Sequence, residues 1–481
     1  MPSSIFLQIL RRPGSPAATM TVAITDVAYV SLLLISVVAG NFVHRIKEVR
    51  HRRVYCTALG AFLVLIVSGR HAVHPCIVSV VNAFIVTTCS LKYRAKASFV
   101  FCFGYLAFFK YLKLWSTNPP PGITNLVQMM LTLRMAGLAM EQQILHEQHE
   151  EKKTEKQTYE EGDMKPGFWD VIDYAFCYIG VLVGPYYRYR TYRDFLNAPY
   201  LDSVNRKGMC LNRVKVVPIY ALLWLLFVQF FPPDYFGSED FYQHGLLYKL
   251  LYLTPMFIIF RLRIYIGFVL GECVCIMAGL GIYPTESKAA PGVGPTDIDA
   301  LLSVWQGRSG DWAKQEFDFE TVHNIDEAQA ELSTTMRMGI RSWNRTVQYW
   351  LAVYFYKRLL LPKPLRTMLT MTLSAIWHGL EPGYFLCLVT STAYIVGEEQ
   401  VEVLVERRRS LVARLMGRLV LWFCKMQSFT YMLAAFLLLD IQRTWQYYHS
   451  VYFVGHAYVA VLLLWRFVAP LHRMPSAKLK Q

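Results

Sequence analysis

Long apolar blocks separated by short basic segments are the feature of this sequence that most restricts its fold. Residues 27–43 (VAYVSLLLISVVAGNFV) carry no charge, and residues 219–231, 254–260, 431–439 and 457–465 are similar. A helix needs about 20 apolar residues to cross the hydrocarbon of a bilayer. Several blocks are shorter or interrupted by a charge, so we expect about ten to twelve passes and no sharp boundaries. The pattern predicts an all-α, polytopic integral membrane protein.

The charge distribution supports a membrane location. Only 17% of the residues are charged, where a soluble protein usually has about 25%. The formal net charge of +15 comes from basic segments between the apolar blocks, namely residues 44–53, 91–96, 406–418 and 472–481. Such segments are typical of cytoplasmic loops that face anionic lipid headgroups. We therefore predict membrane lipids as partners and exclude nucleic acid.

Cysteine usage and the amino terminus give two further predictions. The chain has 10 cysteines, and the close pair Cys273 and Cys275 lacks the spacing of a metal or redox motif, so we predict no metal site. The apolar core of the first residues is too short for a signal peptide. The first apolar span is then expected to act as the signal for membrane insertion. This predicts a multi-pass protein of the endoplasmic reticulum membrane.

The chain has the organisation of one membrane domain over residues 1–481. No repeat of 20–50 residues is visible. We distinguish an amino-terminal extension (1–26), a charged loop (141–167) and a long polar loop (284–335). Since no separate soluble module is visible, any chemistry must belong to the membrane body.

His378 is the most informative polar residue. It lies in LSAIWHGLEPGYFL (373–386), whereas most of the 12 histidines occupy polar loops. His456 also has apolar neighbours but lies near the polar start of its segment, which favours a structural role. An ionisable residue inside a membrane segment is a functional candidate by default.

Asn344 precedes His378 by 34 positions and is the second candidate. If residues 344–361 and 365–390 form helices joined at Pro362–Pro364, the two side chains lie at similar depth on neighbouring helices. A re-entrant placement that brings Asn344 in from the loop side is equally compatible. Asn344 also begins the glycosylation sequon Asn-Arg-Thr, but the nearby arginines and lysines argue for a cytoplasmic face.

A buried histidine and asparagine suit direct acyl transfer. Burial disfavours the imidazolium, so His378 is expected to be neutral and able to accept a proton from a hydroxyl. The Asn344 amide can donate to the oxyanion or hold the hydroxyl in place. No protein nucleophile is needed when the alcohol belongs to the substrate.

The segments SWNRTVQYWL (342–351) and SAIWHGLEPGYF (374–385) resemble the asparagine and histidine motifs of the membrane-bound O-acyltransferase family. Residues 122–139, 177–196, 261–284 and 317–326 are similar to its lysophospholipid acyltransferase branch, most closely to the lysophosphatidylinositol acyltransferases. The resemblance covers most of the chain from about residue 118 onward. The first hundred residues match only in hydropathy.

The resemblance implies a ring of tilted helices around an internal substrate tunnel that acyl-CoA enters from the cytosol. It also implies transfer of a polyunsaturated acyl group, arachidonoyl by family preference, from acyl-CoA to the sn-2 hydroxyl of lysophosphatidylinositol. His378 would be the general base and Asn344 its partner. Acyl-CoA would be a co-substrate, with no permanently bound cofactor.

Six further residues are weaker candidates for substrate binding. Arg188, Arg190 and Arg193 alternate with tyrosines in GPYYRYRTYRDF (184–195), a pattern that fits either phosphate contacts or an interfacial aromatic belt. Glu272 lies in an apolar segment and either binds a substrate polyol or, as we favour, pairs with an arginine of another helix. Trp343 and Trp377 flank the two catalytic candidates, and packing explains them better than chemistry.

Two alternatives remain at this stage. Another member of the same family would acylate lysophosphatidylcholine, lysophosphatidylserine or a protein. A proton-coupled transporter would use His378 as a relay and Glu272 as its partner, although the internal symmetry common among transporters is not visible.

Overall fold

The computed structural model describes residues 16–116, 118–147, 165–307 and 312–468, which are predominantly helical. Four predicted regions lie wholly or partly outside the described residues: the basic tail, residues 148–164 of the charged loop, residues 308–311 of the long polar loop and residues 1–15 of the amino-terminal extension.

The amino-terminal part is built from long apolar helices. They are α1 (Pro16–Val43), α2 (Val49–Ser68), α3 (Val73–Thr88), α4 (Leu91–Trp115) and α5 (Gly122–Glu147), with a 3-10 turn at Gly69–Ala72. In α5, 94% of the candidate membrane window is buried inside the protein. A helix buried this completely is surrounded by other parts of the protein, which also accommodate its polar residues such as Arg134 and Glu141. The main core therefore forms around α5.

The middle of the chain combines short helices with one long helix. Its helices are α6 (Phe168–Phe176), α7 (Tyr189–Asn197), α8 (Arg206–Val214), α9 (Val217–Phe230), α10 (Glu239–Gln243) and α11 (Leu246–Ala278), with 3-10 turns at Leu201–Ser203 and Pro233–Tyr235. Gly279, in the left-handed conformation with φ 80°, ends α11. None of the membrane window of α8 and α9 is buried in the protein, so these apolar side chains are placed to face lipid.

The predicted polar loop has regular structure. Strands β1 (Tyr283–Pro284) and β2 (Phe317–Asp318) pair antiparallel, with Tyr283 opposite Asp318. The helices of this region are α12 (Ile298–Trp305), α13 (Glu327–Leu332) and α14 (Met336–Ser342), with 3-10 turns at Thr285–Ser287, Trp312–Lys314 and Glu320–Val322. This region carries one wall of the candidate site.

The carboxyl-terminal part returns to longer helices. They are α15 (Arg345–Tyr354), α16 (Lys363–His378), α17 (Pro382–Glu406), α18 (Leu411–Leu438), α19 (Ile441–Ser450) and α20 (Val454–Val468), with a 3-10 turn at Tyr356–Arg358. A second apolar core forms where α11 and α18 meet α17 and α19.

The described residues contain 7 helices long and apolar enough to cross a membrane, or 8 if the bent pair α19 and α20 forms one span. The prediction of an all-α polytopic membrane protein is confirmed, but this number is lower than the expected ten to twelve. Two helices next to the candidate site explain part of the difference. Helix α16 has only 16 residues, and α17 carries glutamates at 398, 399, 402 and 406.

Candidate active site

An internal cavity lies among α11, α15, α16, α17 and α18, and both His378 and Asn344 line it. Its volume is about 170 Å³, where one water needs ~10–15 Å³. A smaller cavity of about 10 Å³ borders Asn344 and Trp377 on the side of α5. The structure thus brings the two catalytic candidates to one partly open cavity whose lining is mainly apolar.

His378 is the last residue of α16 and is enclosed by aromatic rings. Its imidazole stacks on Tyr384 at 5.9 Å between ring centroids and meets Trp377 and Phe436 edge-on at 5.0 and 5.4 Å. Its Nδ1 atom is buried and has no hydrogen-bond partner among the described residues. Buried polar atoms normally have partners, so an unsatisfied Nδ1 is an unusual feature of this histidine.

The sequence analysis missed Lys110, which fixes the backbone at His378. Lys110 lies in α4, is only 3% exposed, and its Nζ atom donates to the His378 carbonyl at 2.7 Å. A cation is favourable at the carboxyl end of a helix, where carbonyl groups lack intrahelical donors. A lysine in the apolar run FVFCFGYLAFFKYL is the signal that could have identified it.

The helices around the site differ from the predicted ones. The predicted helix 365–390 is wrong, because α16 ends at His378 and α17 begins at Pro382. A proline favours the first turn of a helix and disfavours helical geometry in the residue before it, here Glu381. The predicted helix 344–361 is shorter, since α15 ends at Tyr354. The break places His378 at a helix end.

Asn344 lies in the left-handed conformation, with φ 50° and ψ 51°, at the start of α15. Asparagine tolerates this region better than most residues. Its side chain is 7% exposed and faces the interior cavity, so this fold leaves no room for a glycan there. The glycosylation interpretation is therefore wrong for the folded protein.

The backbone beside Asn344 is held by a short network. The Arg345 amide donates to the Asn324 carbonyl at 2.7 Å, and the Thr346 hydroxyl donates to Asn324 Oδ1 at 2.7 Å. Arg345 Nη2 also donates to Glu320 Oε1 at 2.6 Å. These bonds connect the two residues after Asn344 to the segment 320–324. They hold the backbone that carries the Asn344 side chain.

His323 adds a charged contact to this network. The His323 Nδ1 atom lies 2.8 Å from Glu320 Oε2. Burial alone would lower the pKa of His323, but the hydrogen bond to Glu320 and the charges of Glu272 and Glu320 outweigh burial and raise it. A protonated His323 strengthens the hold on Glu320, which in turn binds Arg345 next to Asn344.

Glu272 serves the structure, as the favoured interpretation predicted. It is fully buried in α11 and pairs with Arg213 of α8 at 2.5 Å. Its other oxygen accepts from the amides of Asn324 and Ile325 at 2.7 and 3.1 Å. Through Asn324, Glu272 supports the junction that carries Asn344. It does not line the cavity with the two catalytic candidates.

We expect Glu272→Ala to destabilise the protein by about 3–5 kcal/mol, because Arg213 and two backbone amides lose a buried partner. Glu327→Ala is the matched control, since Glu327 also pairs with Arg213 but its side chain is 17% exposed, against 0% for Glu272. Thermal unfolding of the detergent-solubilised variants checks this. Equal stability of the two variants would contradict the role assigned to Glu272.

The weaker candidates divide into two groups. Trp343 and Trp377 line the cavity. The Trp377 indole donates to the Met129 carbonyl at 3.0 Å, and Trp343 packs on Tyr265 and Phe268. These contacts fit the packing role that was favoured for both tryptophans.

The arginine group lies away from this cavity. Arg188 is half-buried. Its Nε atom lies 3.6 Å from Glu141 Oε2, and its Nη1 atom donates to the Val293 carbonyl at 3.1 Å. Arg190 and Arg193 are also half-buried. The alternating tyrosines are buried inside the protein, each no more than 1% exposed: Tyr186, Tyr187, Tyr189 and Tyr192. The interpretation as an interfacial aromatic belt is therefore wrong for these tyrosines.

The fold and the site define a polytopic membrane protein with a mainly apolar cavity that is lined by both a histidine and an asparagine. Comparison with known proteins agrees with this class. Residues 101–434 match the model of MBOAT, the membrane-bound O-acyltransferase family. The chain belongs to this family.

Relatives extend over most of the chain. It is 36% identical to the membrane-bound acylglycerophosphatidylinositol O-acyltransferase frj of Drosophila melanogaster, over 90% of each chain. It is 35% identical to the membrane-bound acylglycerophosphatidylinositol O-acyltransferase MBOAT7 of Homo sapiens, over 89% of this chain and 90% of the relative. The protein of that name from Caenorhabditis elegans, mboa-7, is 28% identical over 75% of this chain.

Proposed function

We propose that this protein transfers a fatty acyl group from acyl-CoA to the sn-2 hydroxyl of lysophosphatidylinositol, in phospholipid remodelling. The observation that carries the proposal is the single cavity lined by both His378 and Asn344. The choice of acceptor is supported by the names of the relatives, which are acylglycerophosphatidylinositol acyltransferases.

In the proposed reaction, the neutral His378 imidazole removes the proton of the substrate hydroxyl while the hydroxyl oxygen attacks the thioester carbonyl carbon. A new carbon–oxygen bond forms, the carbon–sulfur bond breaks, and the proton passes to the departing CoA thiolate. General base catalysis of this kind contributes about 10²–10⁴-fold. Asn344 donates its amide N–H to the oxygen that becomes negative during the attack.

The surroundings of His378 suit this role. The aromatic rings of Trp377, Tyr384 and Phe436 exclude water and hold the imidazole by packing. Exclusion of water limits hydrolysis of the thioester and strengthens the hydrogen bond from Asn344. His378 lines the cavity, so a substrate bound there lies beside the imidazole.

An acceptor panel tests the proposal directly. Microsomes from cells that express the chain would receive radiolabelled arachidonoyl-CoA with lysophosphatidylinositol, lysophosphatidylcholine or lysophosphatidylserine. We expect labelled phosphatidylinositol to form about tenfold faster than the other products, a difference of about 1.4 kcal/mol in transition-state binding. Product formed mainly from lysophosphatidylcholine would overturn the acceptor. Product from none of the three would overturn lysophospholipid acylation, and proton uptake by reconstituted vesicles would favour a transporter.

We further propose that the protein resides in the endoplasmic reticulum membrane. Both substrates suit this location, because the acceptor is a membrane lipid and acyl-CoA reaches the cytosolic side. Colocalisation of the tagged chain with a marker of that membrane tests the proposal, and a plasma-membrane distribution would contradict it.

A further inference from the structure

The cavity wall contains a charge that the proposed reaction does not use. Among the described residues that line the cavity, Arg261 of α11 is the only one that is permanently charged. It is 8% exposed. A buried arginine in an apolar wall is costly unless its donors are satisfied. Its contacts therefore show whether the protein alone uses its donors.

The protein satisfies Arg261 only in part. Its Nη1 atom donates to Glu331 Oε2 at 2.6 Å, and its guanidinium lies over the Phe257 ring at 4.1 Å. Its Nε atom is buried and lacks a hydrogen-bond partner within the described part of the chain. Glu331 is shared, because Tyr265 donates to its Oε1 at 2.6 Å. Arg261 thus lines the cavity and has a donor, Nε, that the described part of the protein leaves unsatisfied.

A second cation lies beside this group. Lys425 of α18 is 2% exposed, and its Nζ atom donates to the carbonyls of Ala330 and Glu331, both at 3.0 Å. We call Arg261, Tyr265, Glu331 and Lys425 the Arg261 cluster. It contains two cations and one carboxylate, so its local charge favours an anionic or neutral ligand and disfavours a cationic one.

The Arg261 cluster and His378 lie far enough apart to contact two different parts of one ligand. Along α18, Met426 contacts Arg261 and Phe436 contacts the His378 ring. Ten residues of helix separate them, about 15 Å along the axis. In a lysophospholipid, the phosphate follows the sn-2 hydroxyl by a few bonds and the headgroup alcohol lies beyond it. A hydroxyl at His378 therefore directs the headgroup along the cavity.

We propose that Arg261 is a specificity-determining residue that binds hydroxyl oxygens of the headgroup alcohol of the lysophospholipid, beyond the phosphate. A guanidinium has only donors, so it recognises these oxygens. A choline group has no acceptor oxygen beyond the phosphate that both lipids share, and the two cations disfavour its quaternary ammonium. This inference rests on the proposed acyl transfer and explains how the same cavity would prefer an inositol headgroup to choline.

The test compares Arg261→Gln with Arg263→Gln. Arg263 lies on the same helix, is similarly buried and pairs with Asp26, and it does not line the cavity. Initial rates are measured with lysophosphatidylinositol and lysophosphatidylcholine over a range of acceptor and acyl-CoA concentrations. For Arg261→Gln we expect the ratio of kcat/KM for the two acceptors to fall about tenfold, through a higher KM for lysophosphatidylinositol. Arg263→Gln is expected to keep the wild-type ratio.

Several outcomes separate this proposal from the one on which it rests. An unchanged acceptor ratio in folded Arg261→Gln overturns the headgroup contact. Equal losses for all acceptors with a raised KM for acyl-CoA overturn it too, and assign Arg261 to the phosphates of CoA. If Arg261→Gln does not fold, Arg261→Lys is measured instead, because lysine keeps the charge but lacks the planar fork of donors. The ratio of kcat/KM for the two acceptors must then be lower than in wild type, and a wild-type ratio overturns the proposal. A wild-type protein without acyl transfer would refute the proposed function itself.

Discussion

His378→Ala is expected to lower acyl transfer by about 10²–10⁴-fold without unfolding the protein. The variant removes the base that accepts the proton of the attacking hydroxyl, while the cavity keeps its other walls. Because the imidazole makes aromatic contacts and leaves Nδ1 unpaired, few hydrogen bonds are lost. The measurement is the initial rate in microsomes, corrected for the amount of protein that elutes as a single species in detergent.

His456→Ala is the matched control for this variant. His456 is the other histidine with apolar neighbours, and its Nδ1 atom lies 2.7 Å from the Tyr431 hydroxyl, away from the cavity lining. We expect it to retain nearly the wild-type rate. Near-normal transfer by folded His378→Ala would remove the histidine from the chemistry. Equal losses per folded molecule in the two variants would mean that the effect is not specific to the histidine that lines the cavity.

The overall class could be predicted from the sequence because the bilayer restricts composition so strongly. Uncharged blocks such as residues 27–43 have few alternatives to membrane helices, and the structure places helix α1 there. The number of spans was less predictable. Helix α16 is short and α17 is partly charged, since protein rather than lipid surrounds much of the site. Hydropathy identifies helices that suit contact with lipid, so a short or charged helix that packs against protein is not recognised as a span.

The two catalytic candidates were visible in the sequence for a related reason. A polar residue in an apolar segment is rare enough to stand out, as His378 did, whereas Asn344 was chosen for its spacing from His378 and for its motif. Their surroundings were predictable only in part. Pro382 is a local signal for the break after His378, but the left-handed backbone of Asn344 and the bond from Lys110, 268 positions away, have no local signal beside the two candidates.

The arginines show why residue type alone was insufficient. Arg188 was a candidate because it lies among tyrosines, but the structure pairs it with Glu141. Arg261 was not singled out, although it lies in the quoted segment 261–284, because its neighbours resemble any apolar helix. Only the packing of α11 against α18 shows that it faces the cavity. The direction of a side chain is a tertiary property, and periodicity over one helix does not determine it.

Asn344→Gly is expected to lower acyl transfer by about 10²–10³-fold, the usual cost of losing one donor to a developing oxyanion. Glycine is chosen because Asn344 has φ 50°, a conformation that glycine adopts without strain. The variant therefore removes the carboxamide and preserves the backbone. Initial rates and thermal unfolding in detergent are measured together, and the melting temperature is expected to stay close to that of wild type.

Asn344→Ala supplies the comparison that separates chemistry from strain. Alanine also lacks the carboxamide, but its Cβ atom is unfavourable in the left-handed region by roughly 1–2 kcal/mol. We expect the alanine and glycine variants to have the same low activity per folded molecule, with only the alanine variant melting earlier. If glycine restores activity and alanine does not, Asn344 is present for its backbone conformation. The amide would then have no part in acyl transfer, and His378 would have to act without it.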